Sequence, residues 1–264
     1  MPPDLAFALT LIGKMAITAA FVVTATVTAE RAGPLVGGLV ATLPIGAGPA
    51  YVFLALEHDA HFIAQGAVAS LAINAINATF AVTYTLLAQK RSLAVSLGLT
   101  YAAWTALALA VNSIQWSLAP ALVLNAVALV TGLWLVRPLR HVPMIRLRRH
   151  WSDYAIRAGL VSLIVGVLVT FSARIGPYAS GLLAVFPVVL TSIVLILHNR
   201  VGGKPTAAVL ANAVLGLAGF ALCCIALHLT AEPLGKWVGL VVALAVSIGW
   251  SFAVLFARKA GVKV

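Results

Sequence analysis

A 264-residue chain that is 62% hydrophobic and 9% charged, with a mean hydropathy of +1.09, lies far from the roughly 25% charged composition of soluble globular domains. That excludes a water-soluble enzyme or binding domain, since no segment is both polar and long enough to fold as one. The net charge of +11 does not indicate nucleic acid, because the basic residues fall between apolar runs, where they read as a topology signal.

Apolar runs long enough to cross a hydrocarbon core of ~30 Å predict nine membrane-spanning helices, over 5–29, 35–56, 62–88, 93–111, 118–136, 155–173, 178–197, 206–229 and 236–257. The first has no basic n-region before it and no cleavage site leading into a soluble domain, so it reads as a retained helix. Lys14 lies inside it and must snorkel, pair or face a cavity; snorkelling to the outer surface is the expectation at that depth.

Span two carries TLPIGAGPAY, with Pro44, Gly46, Gly48 and Pro49 close together. Each proline removes a backbone donor and crowds the carbonyl four residues earlier, and in lipid that carbonyl needs a new partner. An unwound or re-entrant stretch is expected here, its exposed helix end suited to an anion or a polar oxygen. The following loop, LEHDAHF, gathers Glu57, His58, Asp59 and His61. Their chemistry suits a divalent metal, but in one exposed loop they read as a solvated turn, and no metal or cofactor is assigned.

In span three, Asn74 and Asn77 share a helix face at i, i+3. Amides in lipid need partners, which neighbouring helices or a solute would supply. Asn125 and Asn212 stand alone and read first as helix glue, although Asn212 lies on span eight, which borders the same interface and so joins the candidate solute-binding residues. The loop RPLRHVPMIRLRRHW between spans five and six has five arginines and should be cytoplasmic. Alternating from it puts Met1 outside and Val264 inside, with fourteen basic residues on the inner side against Lys14, Arg174 and Lys236 towards the outside. Span seven has Pro187 followed by Thr191 and Ser192, a milder break whose hydroxyls are placed for a freed carbonyl or a solute. The adjacent Cys223 and Cys224 point in different directions on a helix, cannot form an ordinary disulfide, and read as packing residues; His198 and His228 read as interfacial.

The segments RAGPLVGGLVATLP and RIGPYASGLLAVFP, 143 residues apart, share seven of fourteen positions, where this composition gives roughly one or two by chance. The same shift aligns Lys14 with Arg157, two cations placed to flank an anion pathway. The copies begin five spans apart, an odd number, so the halves enter the bilayer from opposite sides. The fold expected is therefore an all-α polytopic membrane protein of two inverted four-helix repeats: 1–112 with spans 1–4, 113–150 with connector span 5 and the basic loop, and 151–264 with spans 6–9. Such repeats recur in secondary transporters, with the solute site at their interface.

The segment YASGLLAVFPVVLTSIVLILH resembles the GlpM-like family of small bacterial inner-membrane proteins, through Tyr178, Gly181, Leu182, Phe186, Pro187 and His198, with Arg157 at the family's basic position. The resemblance covers the last 110 or so residues. In the first half Leu35, Leu43 and Ala55 replace Tyr178, Phe186 and His198, so the chain looks like two such units fused in opposite orientation. The resemblance implies a bacterial inner membrane and supplies no substrate.

No Asp or Glu lies mid-span, which removes the usual carboxylate proton relay, and no nucleophile–base pair or phosphate-binding loop indicates an enzyme. The expectation is a secondary transporter for a small polar or anionic solute. Its site would lie between spans two and seven, drawing on Pro44, Gly46, Gly48, Pro49, Asn74, Asn77, Pro187, Thr191, Ser192 and Asn212. A channel, or a non-transporting subunit of an envelope polysaccharide complex, is the alternative. The partners expected are the bilayer and a small solute, with no nucleic acid; small-residue faces suit a homodimer as well as internal packing.

Overall fold

The computed structural model describes residues 3–31, 47–140 and 150–260. These are 91% helical, with no strand among them. The nine α-helices among the described residues are α1 (Pro3–Arg31), α2 (Ala47–Glu57), α3 (Ala60–Leu87), α4 (Leu93–Asn112), α5 (Leu118–Val136), α6 (Trp151–Ala184), α7 (Val188–Val201), α8 (Gly203–Leu234) and α9 (Lys236–Lys259); a 3₁₀ turn, Arg137–Leu139, follows α5. Seven segments are long and apolar enough to cross a membrane, which makes this a multi-pass helical membrane protein. The described part of span two is the shorter α2, and most of the rest of that span, with Pro44 and Gly46, lies outside the described residues.

A helix that is apolar on all sides is either buried or faces lipid, and both kinds occur here. The apolar core window of α3 is 89% buried and that of α9 only 17%. Thus α3 is the central post, packed on α4, α5, α6 and α8, while α9 lies outside against α8. Small side chains make the post possible: Gly66, Ala67, Ala72, Ala75 and Ala78 let neighbouring backbones come close. One very close approach is between Gly66 and Gly181 of α6, where a methyl on Gly181 would overlap the Gly66 carbonyl.

Hydrogen bonds sort the loops into two ends. At one end His58 meets Ser172, His61 meets Glu232, Lys236 donates to the His58 carbonyl, and Tyr178 reaches Gln65 and the Trp116 carbonyl. At the other, Tyr84 meets His198, Arg200 forks onto Asp153, and Asn212 donates to the Arg140 carbonyl.

Two expectations are corrected. Gly48 and Pro49 are helical and not unwound, because they occupy the first turn of α2, where a missing proline N–H costs nothing. Lys14 does not snorkel; it pairs with Glu57 and lies over the Phe53 ring. Spans six and seven are interrupted twice. Gly176 has φ 76° and ψ 179°, a left-handed value that suits glycine, and residues 185–187 separate α6 from α7.

Gly181→Leu should push α6 off α3 and cost at least the ~1–3 kcal/mol of an overpacked core, read as a lower unfolding temperature in detergent. Gly98→Leu, which faces open space on α4, should leave that temperature unchanged.

Candidate functional site

The interruption at 185–187 lies against the polar stripe of α3, where Ser70, Asn74 and Asn77 follow one another at helical spacing. The Ser70 hydroxyl donates to the Gly181 carbonyl at 2.7 Å and receives the Tyr51 hydroxyl proton at 2.6 Å. Asn77, 3% exposed, donates its amide to the Val185 carbonyl at 2.7 Å and accepts the Trp104 indole N–H at 2.8 Å. The Thr191 hydroxyl donates back to the Pro187 carbonyl at 2.7 Å and accepts from Tyr101, while Ser192 donates to the Val189 carbonyl at 2.8 Å. Around these groups Phe80, Tyr101, Trp104 and Phe186 form an aromatic cluster with centroid spacings of 5.0–6.1 Å.

This seam draws on α3, α4, α6 and α7. It gathers the predicted Asn77, Pro187, Thr191 and Ser192. The N-cap residue of α7 is Pro187, whose side chain makes no capping hydrogen bond, so the helix directs its positive end into the seam. Freed carbonyls are met by exchangeable side-chain donors, the arrangement that interrupted membrane helices require.

The other predicted residues lie elsewhere. Asn74 takes other partners than Asn77, donating to the Leu217 carbonyl of α8 at 2.9 Å and to Asn125 at 3.3 Å. Its own oxygen is buried with no hydrogen-bond partner. Asn212 is spent on the Arg140 and Ala208 carbonyls. Arg157 is half-buried on α6. Gly48 and Pro49 line a separate, partly open apolar cavity of about 490 Å³ between α1, α2, α8 and α9. α2 packs on α6, α3 and α9, and α7 packs on α6, α8 and α4.

Tyr51, Ser70, Tyr101 and Trp104 are the seam residues that sequence reasoning missed. Ser70, Asn74 and Asn77 at i, i+4, i+7 are a readable stripe, and Tyr101 with Trp104 at i, i+3 is an aromatic pair with polar tips. In the loop after α2, Asp59 caps α3 by accepting the Phe62 N–H at 2.8 Å, and the other three residues pair with Lys14, Ser172 and Glu232. Burial lowers the His58 pKa, against the opposing pull of Glu57 and Asp59, and Lys236 adds to the lowering.

Comparison of the chain with protein-family models, curated proteins and solved structures finds no match.

Asn77→Leu should leave the Val185 carbonyl and the Trp104 N–H unpaired, at about 1–3 kcal/mol each, and lower the unfolding temperature more than Ser192→Ala does. His58 is stabilising while neutral, since its folded pKa lies below the unfolded value of about 6.5. That contribution is complete above this value and is lost as pH falls through the lowered one. Unfolding temperature measured against pH should fall in that window, less steeply for His58→Gln.

Proposed function

We propose that the protein is a secondary transporter of the bacterial inner (plasma) membrane, moving a small polar or anionic solute by alternating access between two inverted four-helix repeats. The observation that carries this reading is a set of three hydrogen bonds between α3 and α8. Asn74 donates to the carbonyl of Leu217, 143 residues away, which is the spacing of the repeated sequence. On either side, Thr85 donates to the Ala207 carbonyl and His228 meets the Ala64 carbonyl. His228 stands 143 residues after Thr85, and Ala207 stands 143 after Ala64. The flanking bonds therefore exchange under a twofold rotation that passes by the axial one.

Further support comes from the helix starts. Ala60 and Gly203 begin α3 and α8, and Leu93 and Lys236 begin α4 and α9, each pair separated by that same spacing. α3 and α8 run antiparallel, as these contacts require. A twofold across two antiparallel helices lies in the membrane plane, the axis of inverted repeats. α1 likewise packs chiefly on α6, its own counterpart.

On this reading the seam is the solute site. The donors Asn77, Tyr101 and Trp104 and the positive end of α7 suit a small anion or polar oxygen. The aromatic cluster closes the seam, which favours a carrier over a channel.

The test is solute counterflow in liposomes holding purified protein, with solutes first selected by thermal shift, since a ligand stabilises by mass action. Thr191→Val and Tyr101→Phe remove one hydroxyl each and should lower flux about tenfold, the worth of roughly one hydrogen bond to a polar ligand, with folded yield unchanged. Folded protein that moves no solute, or variants losing yield and flux together, would count against it.

A further inference from the structure

We propose that the cavity between α1, α2, α8 and α9 is a lipid site, which holds one acyl chain of an anionic phospholipid with its phosphate at Lys14 and Lys236. The volume, about 490 Å³, lies within the roughly 300–1,000 Å³ of ligand pockets. Its hydroxyls are already committed: Thr18 donates to the Lys14 carbonyl at 2.8 Å, and Tyr51 is bonded to Ser70. Apart from the Trp237 indole N–H, the rest of the wall is aliphatic, aromatic or thiol. Apolar cavities of this kind do not hold water. In a bilayer the apolar matter at hand is an acyl chain.

Charge at the rim selects the headgroup. Lys14 Nζ lies 5.7 Å from the Phe53 ring centre, and Lys236 Nζ lies 6.0 Å from that of Trp237. Both rings line the cavity, so two ammonium groups stand over the aromatic walls of one apolar space. Glu57 shares Lys14, and Lys236 donates to the His58 carbonyl. Each ammonium retains further donors for a phosphate oxygen. The polar end of the lipid thus stays at the rim while its chain fills the space beneath.

Native mass spectrometry of the full chain, delipidated in detergent and offered phosphatidylglycerol or phosphatidylcholine, tests this. Wild type should retain one phosphatidylglycerol and little phosphatidylcholine. Gly48→Leu places a side chain in open space facing the cavity and should cut occupancy about tenfold through lost chain burial. Lys14→Gln with Lys236→Gln should abolish the preference for phosphatidylglycerol. Gly98→Leu, on the far face of α4, should change nothing. Should Gly48→Leu fail to fold, Leu244→Phe on the exposed wall tests the same point. Equal retention of both lipids, retention by the cavity-filling variants, or a dimer that excludes lipid would overturn the assignment.

Discussion

The rest of the structure depends on the crossing of α3 and α8. A helix buried on nearly all sides in a membrane bundle has no amphipathic pattern to set its rotation, and lipid gives no hydrophobic force to hold it. Alanine and glycine permit close approach but do not fix register. The polar contacts do. Asn74 at the centre, with Thr85 and His228 to either side, donates or binds to carbonyls of the facing helix. A slip of one turn, 5.4 Å, would break all three bonds at once in a medium where an unmet polar side chain is costly. Translation is therefore locked at three points along the helix. Rotation about the axis through the middle contact strains these bonds least, and it is the motion a rocking pair of repeats would need.

The interruption between α6 and α7 follows the same rule of accounting. A break frees carbonyls, and each must be met. Gly181 is met by Ser70, Leu182 and Leu183 by the Val185 and Phe186 N–H groups, Val185 by Asn77 and Pro187 by Thr191. Local turns satisfy two of these carbonyls. Those of Gly181 and Val185 depend on Ser70 and Asn77 of α3, and that of Pro187 accepts both the Thr191 backbone N–H and the Thr191 hydroxyl. Such a seam is stable as it stands, and on the transport proposal a solute offering equivalent groups displaces side chains at little net cost, because exchanging one hydrogen bond for another is nearly neutral.

Much of this was legible in the sequence. Length, hydropathy and the prolines predict α3, α4, α5, α8 and α9 to within a few residues of their ends, since apolar length sets a membrane helix. The double interruption around Gly176 and Pro187 coincides with the repeated phrase. What was not legible depends on partners. Asn74 and Asn77 share a helix face, yet one contacts α5 and α8 and the other α4 and α6, because a central helix has a different neighbour every 60° or so. The pairing of Lys14 with Glu57 joins residues 43 apart; local depth alone argued for snorkelling. Gly48 and Pro49 looked disruptive as a string, and they are harmless because α2 starts immediately before them.

The halves are alike in frame and unlike in filling. At the repeat spacing, Asn77 corresponds to Phe220, Phe80 to Cys223, Tyr101 to Leu244, Thr191 to Gly48 and Ser192 to Pro49. The first member of each pair belongs to the polar, aromatic seam; the second lines the apolar cavity. The seam built from α3, α4, α6 and α7 thus holds bulky, hydrogen-bonded side chains where its counterpart between α1, α2, α8 and α9 is an open space. On the alternating-access proposal, a symmetric protein would rest midway between its two states, whereas this tight packing favours the state in which the seam is closed. For the other state to form, the seam must loosen and the cavity must shrink. A covalently attached side chain could not leave that cavity, but an acyl chain can drain back into the bilayer as α2 and α9 close. On these two proposals, draining the second space allows the first to open.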